Sequence, residues 1–356
     1  ERIRPYSTAN ARYQLMNQHL NISRTLASAI LLVSVLIGPP GANAGNYNEL
    51  PQVQSFIDMM VDKHGFEQEQ LVALFNEAKH REDILELMRK PAEKRLKWYE
   101  YRKIFLTADR IDGGVEFWKE NADTLLQAEA TYGVAAQIIV AIIGVETRYG
   151  SNTGRHRVID ALSTLAFDYP PRSEFFTGEL EQFLILGREE DIDITATTGS
   201  YAGAMGYGQF IPSSYRHYAV DFDGDGKRDL WENKMDIIGS VANYFREHGW
   251  KDGAPVAVLA SVEGERYKDI LAMGYKPHTV LDALRHDGIT PLEEMPDELV
   301  AALISLEQQD GPEYWLAFNN FYAITRYNHS PLYAMAVYQL SEEIRTAYEK
   351  SRLFNE

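Results

Sequence analysis

The sequence contains no cysteine. No disulfide can staple it, so its stability rests on a packed core, which 356 residues are long enough to build. Positive charge is scarce: 35 Lys and Arg stand against 52 Asp and Glu, a net charge of -17. A general nucleic-acid binder needs a basic footprint to displace counterions, and an anionic membrane surface repels such a chain. Long hydrophobic runs are also missing. Leu26 to Ile37 is uncharged and apolar over 12 residues, well short of the roughly 20 that span a bilayer. Several chemical signatures are absent as well. There is no H-E-x-x-H for a catalytic zinc, no G-x-S-x-G for a serine hydrolase, and neither G-x-x-x-x-G-K-[ST] nor G-x-G-x-x-G for phosphates.

What is present describes a globular, exported protein. The chain is 45% hydrophobic and 24% charged, which argues against wholesale disorder. Its 21 tyrosines offer flat apolar faces with polar tips. Such faces suit sugar rings, although core packing explains the same count. Arg12 to Arg24 is polar and positively biased and includes Met16 as a start. Leu26 to Ile37 is the apolar run, and "ANA" (Ala42 to Ala44) supplies small residues for cleavage. Together these predict a signal peptide over 1–44, with 1–15 as upstream extension and cleavage after Ala44. No cysteine follows that site to take a lipid, so the mature protein is expected to be soluble.

Most of the remainder reads as helix. Val53 to Lys63, Glu67 to Asn76 and Arg81 to Met88 carry apolar residues at three- and four-residue spacing, and Pro91 marks a break. "EKRLKWYEYRKIFL" resumes the pattern. Asn121 and Asp123 are candidate caps for a helix ending at Gly133, and Met235 to Trp250 is amphipathic. From about residue 254 the runs shorten and become β-branched and aromatic, with "QQDGPEYW" as a hairpin turn. The fold class is therefore mainly α, with a small β-containing domain at 254–324 and helix again from "SPLYAMAVYQL".

Four stretches could carry chemistry. In "AIIGVETRYGSN", an uncharged run ends on a single carboxylate, Glu146. Partial burial there disfavours the ionised form, which is what a general acid needs. An ion pair with Arg148 is the structural alternative. "GSYAGAMGYGQFIPSSY" is rich in glycine, so a ligand can approach its backbone closely. Its Ser200, Tyr201, Met205, Tyr207, Gln209 and Phe210 suit hydrogen bonding and stacking on an uncharged polar ligand, though a tight structural turn would use the same glycines. "DFDGDGKRDLWE" places Asp221, Asp223 and Asp225 at positions 1, 3 and 5 of a calcium loop. Gly226 falls at 6, Lys227 offers its carbonyl at 7, and Asp229 and Glu232 fall at 9 and 12. A single loop of this kind points to a structural Ca2+ clip. In "ITRYNHSPLYAMAVYQL", Tyr327, Asn328, His329 and Tyr333 gather ahead of a helix.

Taken in order, "GVETRYG", "GSYAGAMGYGQFIPSSY", the acidic loop followed by "IGSVANYF", and "ITRYNHSPLYAMAVY" resemble the membrane-bound lytic murein transglycosylase B family and its soluble relatives. The likeness covers nearly the whole mature chain. It implies a lysozyme-like α-helical core (99–253 and 325–356), an N-terminal α domain (45–98) and the small β-containing domain, acting on peptidoglycan glycan strands. It implies that Glu146 is a lone catalytic acid and base, with Ser200 and Gln209 beside it. Tyr101, Tyr244, Tyr327, Asn328 and Tyr333 would line the glycan groove. Arg172 would face the saccharide, with Pro171 where the family has a second arginine. In relatives the calcium loop closes on an aspartate before the exit helix, here Asp236. Local spacing favours Glu232 and the resemblance Asp236, and the second carries more weight. The lack of a lipid-bearing cysteine points to the soluble relatives in the periplasm of a Gram-negative bacterium, where other cell-wall enzymes are candidate partners. No organic cofactor is expected. A hydrolytic muramidase and a non-catalytic peptidoglycan-binding protein are the rival readings.

Overall fold

The computed structural model describes residues 47–89 and 96–353; the expected signal peptide, its upstream extension and Pro91 lie outside the described residues. Three helices come first: α1 (Pro51–His64), α2 (Gln68–Glu77) and α3 (Glu82–Arg89). Each lies within two residues of the span that its apolar spacing predicts. α1 buries Val53, Phe56, Ile57 and Met60 along one face, and Gly65 ends it at φ 64° with its N–H donated to the Val61 carbonyl. Then follow α4 (Trp98–Phe105), α5 (Ala108–Glu120), α6 (Ala122–Tyr132) and α7 (Ala136–Thr147). The two-residue strand β1 (His156–Arg157) precedes α8 (Val158–Asp168) and α9 (Ser173–Glu189). β1 pairs with β2 (Thr198–Gly199), and α10 (Pro212–Tyr218) and α11 (Lys234–Glu247) complete this part of the chain.

The first three helices are docked on α8 through a polar stripe. Asp160, Thr164 and Asp168 recur every four residues, so they share one helix face. Asp160 accepts the Lys79 amide, Thr164 accepts the Arg81 amide, and Asp168 accepts the Tyr47 hydroxyl at 2.6 Å. These bonds fix the docked segment in register where apolar packing alone would let it slide.

A five-stranded antiparallel sheet follows, in the order β4-β6-β7-β3-β5. It comprises β3 (Ala257–Val262), β4 (Thr279–Val280), β5 (Ile289–Pro291), β6 (Val300–Gln308) and β7 (Gly311–Ala317), with α12 (Tyr267–Ala272) and α13 (Leu281–His286) between strands. Gln308 pairs with Gly311, so the hairpin turn falls within "QQDG", where the sequence places it. Ala301 and Leu303 of β6 join Ile270, Leu281 and Leu284 of α12 and α13 in one small core, while Ile304 and Leu306 join the main helical core. Both faces are covered over Ala301 to Ile304, which is why "AALI" reads as a continuous apolar run instead of an alternation.

One part of the sequence reading differs. Asn319–Tyr327 is a helix, α14, so the expected boundary at 324/325 falls inside it. Its aromatics invite a β reading, but Phe321 and Ile324 lie three apart and both enter the main core. The last helix, α15 (Pro331–Leu353), packs on α4, α5, α7 and α14. Among the described residues no single helix is long and apolar enough to cross a membrane.

Candidate active site

Glu146 owes its position to the way α7 is enclosed. Ten of the twelve residues of α7 are buried, and α5, α6, α11 and α15 all pack on it, so the helix must be apolar on every side. It ends abruptly: Arg148 and Tyr149 have φ of 50° and 58°, and Gly150 follows at 88°. Two side chains hold this turn. The Thr147 hydroxyl accepts the Gly150 N–H at 3.0 Å and lies 3.2 and 3.1 Å from the Ile143 and Tyr207 carbonyls. Tyr149 turns back, donates to the Arg110 carbonyl at 2.7 Å and stacks on Phe117. Its ring fills a slot where a Cβ at Gly113, Gly114 or Gly144 would come within 3.0 Å of it.

Glu146 itself is partly exposed. The Tyr333 hydroxyl, from α15, donates to its Oε1. Around it stand Tyr244 on α11 and Tyr327 at the end of α14, with rings 4.6 Å apart. The Tyr244 hydroxyl donates to the Arg326 carbonyl at 2.7 Å, and the Tyr327 hydroxyl to the Gly208 carbonyl at 2.6 Å. Burial first, and then the Glu146 charge, push the Tyr333 and Tyr327 phenols well above their ordinary value; Tyr244 is raised chiefly by burial, with Glu146 adding to it. Glu146 is thus the carboxylate whose field reaches all three phenols, and it favours their neutral, donating form.

The glycine-rich stretch forms the adjoining edge. Ser200 Oγ accepts the Ala202 and Ala204 amides at 3.3 and 3.0 Å, and Met205 pairs with Phe210 across a tight turn. Gln209 sits in that turn at φ 50°, its Nε2 donating to the Thr153 and Gly206 carbonyls at 3.1 and 2.9 Å. Tyr327 Oη rests against Gly208, where a Cβ would lie 3.0 Å away. This edge and the tyrosine wall therefore meet beside α7.

The expected groove residues fall into two groups. Ser200, Gln209, Tyr327 and Asn328 are partly exposed and Tyr201 is exposed, so they can present surface to a ligand. Tyr101, Phe210, Tyr244 and Tyr333 are 1%, 2%, 7% and 3% exposed, and in this structure they back the wall more than they face solvent. Tyr101 is packed between Trp98 and Phe105, and its phenol acts on Tyr333 from behind. Arg172 is exposed, with its guanidinium over Phe175 and Phe176 at 4.3 and 5.0 Å. The charged group in its field is Glu179, which accepts both Ser213 N–H and Oγ–H.

In the acidic loop, Asp221, Asp223 and Asp236 bring carboxylate oxygens within 4.8 Å of one another. Asp236 is fully buried and accepts the Phe222 and Asp229 amides at 2.7 and 2.8 Å. Burial raises its carboxyl despite these bonds, and the charges of Asp221 and Asp223 push the same way. Three hard oxygen donors converging with such mutual repulsion suit a divalent cation of the calcium type. Glu232, which the local spacing favours, is outside that triplet: its amide is bound to Asp229 and its side chain is exposed. Asp225 is also outside it, its Oδ1 accepting the Lys227 amide at 2.8 Å. The twelve-residue count assumes that the chain returns to the ion at position 12. Here Asn233 caps α11, accepting the Met235 and Asp236 amides, and the first turn of that helix delivers Asp236 instead.

Sequence reading gives no role to Thr147 and treats Tyr207 only as a ligand contact. The Tyr207 amide donates to Leu230 in the acidic loop, Lys234 Nζ lies 3.9 Å from its ring centroid, and its carbonyl meets Thr147. It therefore ties the loop to the end of α7. The one signal in the sequence is Gly150, whose added Cβ would lie 1.9 Å from Tyr207 Cζ at a φ of 88°. Gly150→Ala should cost about 1–3 kcal/mol in overpacking, with backbone strain on top. A thermal melt checks this, and an unchanged midpoint would refute the clamp.

Comparison with known proteins agrees with this geometry. The transglycosylase SLT domain family model matches residues 48–342. The chain is 46% identical over 312 residues, 85% of each chain, to the membrane-bound lytic murein transglycosylase B of Escherichia coli strain K12. Its fold is similar to that of the soluble lytic transglycosylase SltB1 of Pseudomonas aeruginosa (TM-score 0.79, 49% identity, 83% of this chain and 99% of that one). It is equally similar to the Escherichia coli lytic transglycosylase Slt35 solved in complex with calcium (TM-score 0.79, 46% identity, 86% and 96%). The chain belongs to the SLT-domain lytic transglycosylases, the lyases that cleave peptidoglycan, and carries their lysozyme-like fold.

Proposed function

We propose that Glu146 alone supplies the proton chemistry of the cleavage, first as acid and then as base. The reading rests on one observation above others: a single carboxyl at the end of a buried helix, gripped at Oε1 by Tyr333 and facing the neutral phenols of Tyr244 and Tyr327. Most glycosidases place a second carboxylate about 5 Å away when retaining, and farther when inverting. A reaction with an internal nucleophile needs only one. Glu146 donates its proton to the oxygen between N-acetylmuramic acid and N-acetylglucosamine as the C1–O bond breaks. The oxocarbenium-like centre at C1 is assisted by the substrate's own N-acetyl oxygen. Glu146, now a carboxylate, takes the proton of the muramoyl 6-hydroxyl as that oxygen closes onto C1. The proton returns to the enzyme, no water is consumed, and a 1,6-anhydromuramoyl end is left. Tyr333 keeps the carboxyl oriented through both steps, while Ser200, Tyr201, Gln209, Tyr327 and Asn328 hold the glycan.

The acidic loop is a structural Ca2+ site in this proposal, with Asp221, Asp223 and Asp236 as carboxylate ligands and the Lys227 carbonyl as a further donor. The ion would tie the loop to the first turn of α11. The enzyme works in the periplasm, consistent with the signal-like N-terminus and a peptidoglycan substrate.

Products decide the mechanism. Mass spectrometry of digested sacculi should show anhydromuropeptides one water lighter than muramidase products. Reducing-end muramic acid as the main product would favour hydrolysis and remove the internal-nucleophile step.

A further inference from the structure

Next to Tyr244 stands a cation that has no counter-charge among the described residues. Arg326, in the last turn of α14, is half-buried and stacks its guanidinium over Tyr322, with Cζ 4.1 Å from the ring centroid. Lys276 brings its Nζ to 5.8 Å from the same centroid. Among the described residues neither forms an ion pair. Of the five donors of a guanidinium, the one hydrogen bond made here runs from Nη2 to Thr325 Oγ1 at 3.0 Å, and the buried Nε has no partner. In a chain of net charge -17, a pair of cations sharing one ring without a carboxylate is unusual. Stacking uses the face of the guanidinium and leaves Nη1 and the second Nη2 hydrogen, donors that match the two oxygens of a carboxylate.

Arg326 also stands close to the candidate site. The Tyr244 hydroxyl donates to the Arg326 carbonyl, and the Tyr244 phenol feels both Arg326 and Glu146. The cation and the catalytic candidate therefore both lie close to one phenol. His248, stacked on Tyr244 at 4.0 Å, and His329 are both held below the ordinary imidazole value by burial and by Arg326. They add little charge near neutral pH, so the positive site is Arg326 and Lys276.

We propose that Arg326, assisted by Lys276, binds a carboxylate on the lactyl arm of the muramoyl unit being cleaved. The inference rests on the glycan reading above. That arm leaves the sugar at C3, on the same ring as the reacting C1, so a lactyl carboxylate lies near the catalytic carboxyl and a stem peptide starts there. In native strands the arm carries a peptide with carboxylates; in strands stripped of peptide it ends in the lactyl carboxylate itself. An uncharged N-acetylglucosamine oligomer has neither.

Binding of these three ligands is measured on the full chain carrying Glu146→Gln, with and without Arg326→Gln. Expected is a loss of about tenfold on the carboxylate-bearing strands, the size of one charge-assisted contact, with the uncharged oligomer unaffected within about twofold. A loss on stripped strands alone assigns the lactyl carboxylate, a loss on peptide-bearing strands alone assigns the stem peptide, and losses on both show that either carboxylate reaches Arg326. Equal losses on all three ligands, or none, would overturn the proposal. Arg326→Lys should keep most of the salt-sensitive binding, and the exposed Lys276→Gln should reproduce a smaller loss in a fully folded protein. Should Arg326→Gln fail to fold, a Lys276→Gln variant with no selective loss would count against the site. Products released in the same mixture report separately on Glu146, so failure of the catalytic reading is distinguishable from failure of this one.

Discussion

Glu146→Gln is expected to leave a folded, glycan-binding protein whose cleavage rate has fallen by several powers of ten. Glutamine keeps the size of the side chain, and its carbonyl oxygen can still accept the Tyr333 hydroxyl, so the wall behind the site survives. It can neither give a proton as a carboxylic acid nor take one as a carboxylate. Each proton transfer is typically worth about 10²–10⁴-fold, and here one group performs both. Binding should persist, because Ser200, Gln209, Tyr327 and Asn328 are untouched. A purely structural Glu146 predicts the reverse: a lower melting midpoint, with activity lost only as the protein unfolds. Melting, sacculus pull-down and product release on one preparation separate the two. A folded and active variant would end the assignment.

Calcium should raise the melting midpoint substantially while leaving the chemistry nearly unchanged. A ligand bound only by the folded state stabilises it by about 2.7 kcal/mol at 100 times its Kd. For a chain of this size that is on the order of 4 °C. Asp223→Ala should abolish the response, since Asp223 is exposed and its other partners are the Asn233 side-chain amide at 2.8 Å and the Asp225 N–H at 3.2 Å. Asp236→Ala should do more. It removes a ligand and also leaves the part-buried Phe222 and Asp229 N–H groups without their acceptor, each costing up to about 1 kcal/mol even without the ion. Melting curves with calcium and with chelator test both variants. A midpoint indifferent to calcium would refute the site. Activity lost on chelation well below the melting temperature would show that the Tyr207 link transmits more than stability.

Much of this was legible from local pattern. Helix spacing located α1 to α3 within two residues, the "QQDG" turn located the β6–β7 hairpin, and the uncharged run singled out Glu146. Such features are encoded by neighbours in sequence, because periodicity, turn chemistry and an isolated charge act over a few residues. α14 was misread for the same reason: over nine residues, aromatic content and helical spacing point opposite ways, and packing into the main core decided.

The sequence by itself determined an exported-looking, cysteine-free, mainly helical chain with one isolated carboxylate, a glycine-rich edge and an acidic loop. Only the tertiary structure decided what each of these meets. Tyr333 reaches Glu146 across 187 residues because α15 packs along α7. Tyr101 backs the wall because α4 packs on that helix through its one buried face, and Asp236, not Glu232, converges with Asp221 and Asp223 because the α11 cap turns its first turn toward the loop. Thr147 and Tyr207 meet across 60 residues at a glycine with no room for a side chain. Such pairings depend on how close-packed elements come to rest against one another, and no spacing within a single segment encodes that.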